Sequence, residues 1–491
     1  MVWVLTGLGE GVMMEGVSGG VMIEKMLELC ALTIFVLHIG GLCIGMSIER
    51  VKVRDLGVLD QYQLLLQSYK AKPFREDNSA YNQLVDEYSE TLTGKSYPAV
   101  QWFFTNICKA MKKRCKAMSV KMDKNYWSGN VAGIGARKVK EVVDYFEKEG
   151  YITIYTGSKD LRAWWKSYPT IIKFNDRLYD LIDLRKVELF LPEERLAFPI
   201  VVKDRKTKEP IAFEVNEMVN KMERELNSYN DSFKDVLIEF NGEVVPALEY
   251  KRSFSGDLYK GGRLFAHGGS VQLLPEKYRL EYLTLDKESV VEVDYKAIHP
   301  NMMYEMLALE NDSIYKLAKK GFDPYSADSS FIEVDEKAIA MHKVKFGLTK
   351  YEPVRKLYKR ALLMAINCQS DVQTRNTINQ ELYRDSKLDE CDREFVGISK
   401  PDVSKILEAL SEHNTIISDY FYKDYGIVLQ NLDSKIALRV IELLLQEGQT
   451  CLAYHDSFAV KKSIQPLLEF AMKEAWKDIL GDNKFCYLDV K

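Results

Sequence analysis

Asp294 and Asp456 are the residues whose type and setting point most directly to chemistry. Asp294 ends an apolar, β-branched run in VEVDYKAIHP, and Asp456 ends another in LAYHDSFAV. Runs of this kind predict buried strands. If the two strands are neighbours, the carboxylates share one site although 162 positions separate them in sequence. Two carboxylates in one site repel each other unless cations lie between them. A pair of Mg²⁺ ions about 3.5–4 Å apart, clamping the attacking and leaving oxygens of a phosphoryl transfer, would satisfy that arrangement. Mn²⁺ could take their place. The pattern predicts a nucleotidyl-transfer site, although either aspartate alone would equally fit a strand-end carboxylate satisfied by a turn.

The elements around the aspartates carry further candidates. In VRKLYKRALLMAINCQ, a spacing of four puts Arg355, Lys359, Leu363 and Asn367 on one slowly drifting helix face. Two cations there could hold a triphosphate, while an apolar residue supports the base and a polar one faces the sugar. LQNLDSKIALRVIELLLQEG predicts a helix that starts near Gln430, Asp433 and Ser434 and leads into the HDSF strand. His455 and Asp456 would then sit at a hairpin tip. Asp323-Pro324-Tyr325 is a turn signal, and Arg263 follows a glycine pair in GGRLFA.

The order and spacing of these pieces resemble the single-subunit polymerases, that is, family A DNA polymerases and phage-type RNA polymerases. Asp294-Tyr295-Lys296-Ala297-Ile298-His299 is similar to motif A, D-Y-S-x-I-E. Arg355, Lys359 and Leu363 are similar to motif B, with Asn367-Cys368 in place of its Tyr-Gly. His455-Asp456-Ser457-Phe458 is similar to the H-D-S-F motif C of the RNA enzymes. Gln430-x-x-Asp433-Ser434 resembles the segment ahead of that motif. GFDPYS resembles their D-x-Y-S, and GGRLFA resembles R-G-R-V-Y-A, a template contact. An uncharacterised bacterial and phage group carrying G-G-R, D-x-x-x-x-H, D-P-Y and H-D-S-F in this order is similar too. The resemblance spans roughly residues 250–491.

What the resemblance implies can be assigned residue by residue. Asp294 and Asp456, with the carbonyl of Tyr295, would hold two Mg²⁺ ions. Arg355 and Lys359 would neutralise the triphosphate. Tyr295, His299, Leu363, Asn367 and Tyr325 would surround the nucleotide and its sugar. His455, Gln430 and Asp433 would lie at the primer end, and Arg263 at the template. The bulk of His299 leans towards dNTPs, whereas HDSF and GRLFA lean towards RNA.

Length allows two to four domains, and 46% hydrophobic residues are enough for large cores. A net charge of −4 leaves any nucleic-acid surface to be local. Eight scattered cysteines with no CxxC pair argue against structural zinc and suit buried thiols in a reducing cytoplasm. A local basic surface is expected in residues 51–200, predicted to be mostly helical. There, residues 101–125 read as an amphipathic helix carrying Lys109, Lys112, Lys113, Arg114, Lys116 and Lys121. Arg137, Lys138 and Lys140 continue the run into a turn, helix, strand and turn similar to a winged helix-turn-helix, or to a helix-hairpin-helix at Gly133-Ile134-Gly135. Lys112, Lys113, Arg137 and Lys138 are the candidate phosphate contacts. Trp164, Trp165 and Tyr168 could stack bases, or be core.

Residues 1–50 are an apolar leader. Within it, residues 29–48 contain no Asp, Glu, Lys or Arg, long enough to span a bilayer, and Arg50, Lys52 and Arg54 would leave the rest cytoplasmic. Three glycines and His38 speak against a span, and the stretch could instead be translated sequence upstream of a start at Met46.

The expected architecture is α+β: a right-hand palm, fingers and thumb over residues 201–491, behind a basic winged-helix-like module over residues 51–200. The expected function is template-directed polymerisation, with a DNA product favoured, acting on DNA with dNTPs or NTPs and with no obligate protein partner evident. A single-subunit RNA polymerase or primase-like enzyme is the alternative. A DNA-binding regulator that has lost activity is the non-enzymatic rival.

Overall fold

The computed structural model describes residues 50–71, 79–92, 96–122, 124–127, 134–158, 168–182, 198–246, 248–267, 271–399 and 401–491. The apolar stretch 29–48 and Trp164 and Trp165 lie outside them. Among the described residues, no helix is long and apolar enough to cross a membrane. Val51–Lys491 forms one compact unit of mixed helices and sheets, an α+β architecture.

The N-terminal part runs α1 (Val58–Leu66), β1 (Ser68–Lys70), α2 (Ser79–Thr91), α3 (Tyr97–Lys112), β2 (Ala117–Val120), α4 (Lys124–Trp127), α5 (Ala136–Lys148), β3 (Ile152–Tyr155) and β4 (Thr170–Phe174). Its strands form one sheet in the order β1-β2-β4-β3, parallel between β1 and β2 and antiparallel elsewhere. In β3 the alternation of ITIY buries Ile152 and Ile154, the period-two signature of a one-sided strand. In α5, Val139, Val142, Val143 and Phe146 recur at helical spacing and are buried. Phe146 stacks on Phe103 of α3 with ring centroids 4.3 Å apart.

The helix expected over residues 101–125 is not formed as such. It stops at Lys112, where Arg114 adopts a left-handed conformation (φ 58°). The Arg114 and Cys115 amides donate to the carbonyls of Met111 and Ala110, which is Schellman-type termination. Ala117–Val120 then pairs as a strand, in a stretch expected to be mostly helical. Nor is α3 amphipathic, because residues 99–111 are all buried, Lys109 among them. The basic run therefore does not make one solvated face. Lys113 lies 3.8 Å from Glu249 and Lys116 lies 2.6 Å from Glu243, so both face the C-terminal part.

The C-terminal part contains β5 (Ile200–Lys203), α6 (Glu217–Ser232), β6 (Ile238–Phe240), β7 (Glu243–Val244), β8 (Glu249–Ser255), β9 (Asp257–His267), β10 (Leu283–Leu285), β11 (Glu288–Tyr295) and α7 (Ile298–Glu310). Then come α8 (Pro353–Asn367), α9 (Val403–His413), α10 (Gly426–Gln446), β12 (Leu452–Tyr454), β13 (Ser457–Lys461), α11 (Gln465–Leu480) and β14 (Leu488–Val490), with further helices between, Asp371–Asp385 among them. The main sheet runs β12-β13-β11-β10-β6-β7, with β14 also on β11, while β5-β8-β9 form a second sheet. Within β11, residues 290–293 are all buried. The buried carboxylate of Glu292 is answered by Arg279 at 2.7 Å and by the Ser457 hydroxyl at 2.8 Å.

Candidate active site

β11 and β13 pair antiparallel with Asp294 opposite Ser457, and Tyr454 opposite Ser457 closes the β12–β13 hairpin. His455 and Asp456 are thus the two residues of the hairpin turn. His455 has φ 71°, the left-handed first position that a II′ turn normally gives to glycine. The Tyr295 amide donates to the Asp456 carbonyl at 3.2 Å. The strand ends bearing the two carboxylates are therefore held side by side. Burial first, and then the charge of Asp456, push the Asp294 carboxyl up to about 7, while Lys491 and Lys359 pull it back. Lys491 Nζ is 3.5 Å from Asp294 and 2.5 Å from Glu276.

Beside this pair lies a buried network. Asp433 of α10 is 2% exposed. Arg263 Nε donates to both of its oxygens, at 2.9 and 3.2 Å, and Arg263 Nη2 joins them. His299 Nε2 lies 2.9 Å from Asp433 Oδ2. Arg263 Nη2 also lies 3.3 Å from His299 Nε2, while Nδ1 is buried without a partner among the described residues. The glycine pair ahead of Arg263 makes this reach possible. Gly262 has φ 96°, and a methyl there would sit 2.6 Å from Phe254 Cε1. Burial and the neighbouring Arg263 hold the His455 imidazole below its ordinary pKa, and Phe265 meets its ring edge-on at 5.1 Å.

The α8 face lies as spacing predicts. Arg355, Lys359 and Asn367 are exposed and Leu363 is half-buried. Lys359 is close enough to act on the charge of Asp294. Arg355 is held by Asp323, donating from Nε at 2.8 Å and from Nη2 at 3.2 Å, and lies over the Tyr325 ring. Burial would raise the Asp323 carboxyl, but Arg355 and the Tyr325 amide hold it below the usual range. The turn is fixed from behind, where His413 Nε2 and Asn414 Nδ2 of the α9 end meet the carbonyls of Asp323 and Pro324. Asn367 donates to the Leu363 carbonyl and packs on Gly426, where a methyl would stand 1.9 Å from its Oδ1. Gln430 is half-buried near the start of α10.

The N-terminal candidates lie elsewhere in the unit. Lys138 bonds Ser96 and Glu141, and Arg137 is exposed on α5. Lys112 is half-buried at the end of α3. Three residues beside the aspartates were not singled out from the sequence. Glu292 had a usable signal, since it is two positions before Asp294 and shares its strand face. Phe265 stood in the GGRLFA segment, whereas Lys491 carries no motif.

The Asp294 and Asp456 carboxylates and the Tyr295 carbonyl are hard oxygen donors of the kind that suit a divalent cation. Among the described residues, no group of three or more His, Cys, Asp and Glu side chains could hold a metal ion. Asp489, opposite Asp294 on β14, pairs with Lys296 at 3.2 Å.

No family model and no curated protein matches the chain. Among solved structures, it is similar to the POL domain of Pol1 from M. smegmatis in complex with DNA primer-template and dNTP. Identity is 10%, the match covers 89% of this chain and 69% of that chain, and the TM-score is 0.28. A likeness this low carries no argument.

Proposed function

We propose that the chain is a template-directed nucleic acid polymerase, with a DNA product favoured, working through a two-Mg²⁺ site. The observation that carries this reading is the Asp294–Asp456 pair at adjoining strand ends, with Lys359 within electrostatic reach. In this reading β11–β13 belong to the palm, residues 353–375 to the fingers and α6 to a reduced thumb. The order α3-β2-α4-α5-β3-β4, with β2 and β3 flanking β4, supports reading residues 51–200 as a winged-helix-like nucleic-acid module with Arg137 on its second long helix.

Asp294, Asp456 and the Tyr295 carbonyl would hold the ions, whose chemistry is to acidify the primer 3′-hydroxyl and neutralise the leaving pyrophosphate. Lys359 and Arg355 bind the triphosphate, and Arg355 exchanges Asp323 for phosphate as it does so. The 3′ oxygen bonds to the α-phosphorus as the bond to the β-phosphate oxygen breaks. Pyrophosphate leaves with the electron pair, and the hydroxyl proton passes to solvent. His299, clamped by Asp433, presents a rigid bulky wall to the sugar, which favours deoxynucleotides. Leu363 and Tyr325 support the base and Asn367 the sugar. His455, Gln430 and Arg263 meet the primer end and template.

Labelled primer–template extended in parallel with dNTPs and with NTPs tests the reading. Wild type is expected to prefer dNTPs, and His299→Gly to admit NTPs. Tight duplex binding with no elongation from either set would replace the polymerase with a DNA-binding regulator.

A further inference from the structure

Where the N-terminal sheet meets the C-terminal part, a cavity of about 360 Å³ opens between α1, β1, β2, α4 and the base of the β3–β4 connection. Its walls carry three tyrosines, Tyr62, Tyr126 and Tyr168, and two lysines, Lys70 and Lys121. Among the described residues that line it, none is acidic. Lys121 Nζ stands 4.9 Å from the centroid of the Tyr126 ring. Tyr62 is backed by Tyr278 at 5.3 Å, which fixes its ring. Both lysines are exposed, with their charge available at the rim.

The cavity also has a physical link to the aspartates. Leu273, 60% exposed, supplies the wall contributed by the C-terminal part. Its neighbour Gln272 donates to the Ala453 carbonyl at 2.8 Å. Ala453 lies in β12, three residues before Asp456.

Aromatic faces beside cations, with no carboxylate among them, suit a ligand that is flat at one end and anionic at the other. Nucleobases stack on aromatic side chains while ammonium groups meet the phosphates. The volume lies at the small end of the range for ligand sites, which suits one nucleotide rather than a stacked run. We propose that this cavity takes a single unstacked base, with its flanking phosphates, from a single-stranded segment of nucleic acid leading to Asp294 and Asp456. The inference rests on the polymerase reading, which supplies the strand.

Fluorescence anisotropy of labelled dT12 with the full chain tests it, using wild type, Tyr126→Ala/Tyr168→Ala, Lys70→Glu/Lys121→Glu and Asp456→Ala. Wild type is expected to bind. The tyrosine variant should bind about 10-fold more weakly or worse, the scale of losing one base stack. The lysine variant changes only exposed side chains, so it should fold. Its slope of log affinity against log salt should fall by roughly 1.4, at about 0.7 per phosphate contact on a single strand. Asp456→Ala should bind dT12 as wild type does, so that loss of extension and loss of this contact read separately. An unchanged affinity and salt slope in the lysine variant would overturn the proposal. So would failure of wild type to bind dT12, even if primer extension proceeds. Equal competition by dTMP would also overturn the strand assignment, by making the cavity a mononucleotide site.

Discussion

Asp433 is where the polar geometry beside the candidate site converges. Its carboxylate accepts from Arg263 and lies 2.9 Å from His299 Nε2. Removing one member of a buried pair leaves the other uncompensated, at about 3–5 kcal/mol. Arg263 keeps some solvent contact, with its side chain 22% exposed, so Asp433→Asn is expected to cost near 3 kcal/mol, the lower end of that range. Urea unfolding measures it, and a loss below 1 kcal/mol would mean that the network does not bear on stability. At this scale the sequence was legible where local pattern speaks. Asp294 and Asp456 each end a strand-like run, and Arg355, Lys359 and Leu363 keep helical spacing. The Asp433 contacts were not legible, because they join residues 170 and 134 positions apart with no shared period. The commitment of Arg355 to Asp323 and of Arg263 to Asp433 likewise depends on tertiary packing.

Among the elements, β9 depends most on a backbone that a side chain would spoil. At Gly262 both a left-handed φ of 96° and the Phe254 ring stand against a methyl group. Strain of this kind costs about 1–3 kcal/mol, so Gly262→Ala should destabilise the chain by roughly 2 kcal/mol or more and move Arg263 off Asp433. A thermal shift of under a degree in scanning calorimetry would contradict this. Gly426→Ala differs, because the obstacle is the movable end of Asn367. Its cost, about 1 kcal/mol from lost packing and one hydrogen bond, should largely vanish in an Asn367→Ala background, a coupling that a double-mutant cycle reads. The helix expected over residues 101–125 failed for an element-scale reason. Charge density suggests a solvated face, but the apolar residues of YPAVQWFFTNICKAMK surround the axis, which is the mark of a buried helix. Arg114 and Cys115 then end the helix where composition gave no stop signal.

For the whole molecule, the ion pairs Lys113–Glu249 and Lys116–Glu243 and the bond from Gln67 to the Val244 carbonyl at 2.6 Å join the N-terminal sheet to the C-terminal part. Exposed pairs contribute about 0–1 kcal/mol, so Lys116→Ala should leave stability nearly unchanged, as chemical denaturation would register. Thiol chemistry reports on packing across the unit. Burial pushes Cys108, Cys115, Cys451 and Cys486 up to about 12, whereas Cys391 is exposed. Because the thiolate is the nucleophile, iodoacetamide at pH 8 should modify Cys391 well before those four in the native protein, with mass spectrometry identifying the site. The α+β class was legible from chain length and the mixture of strand-like and helical runs, while the N-terminal sheet was obscured by its short strands. The central claim is that Asp294 and Asp456 act as one catalytic unit, and Mg²⁺-dependent primer extension by wild type, Asp294→Ala, Asp456→Ala and the double variant tests it most directly. Elongation by wild type, lost at least 100-fold in either single variant and no further in the double, is the predicted result. Elongation that persists in either single variant would contradict it.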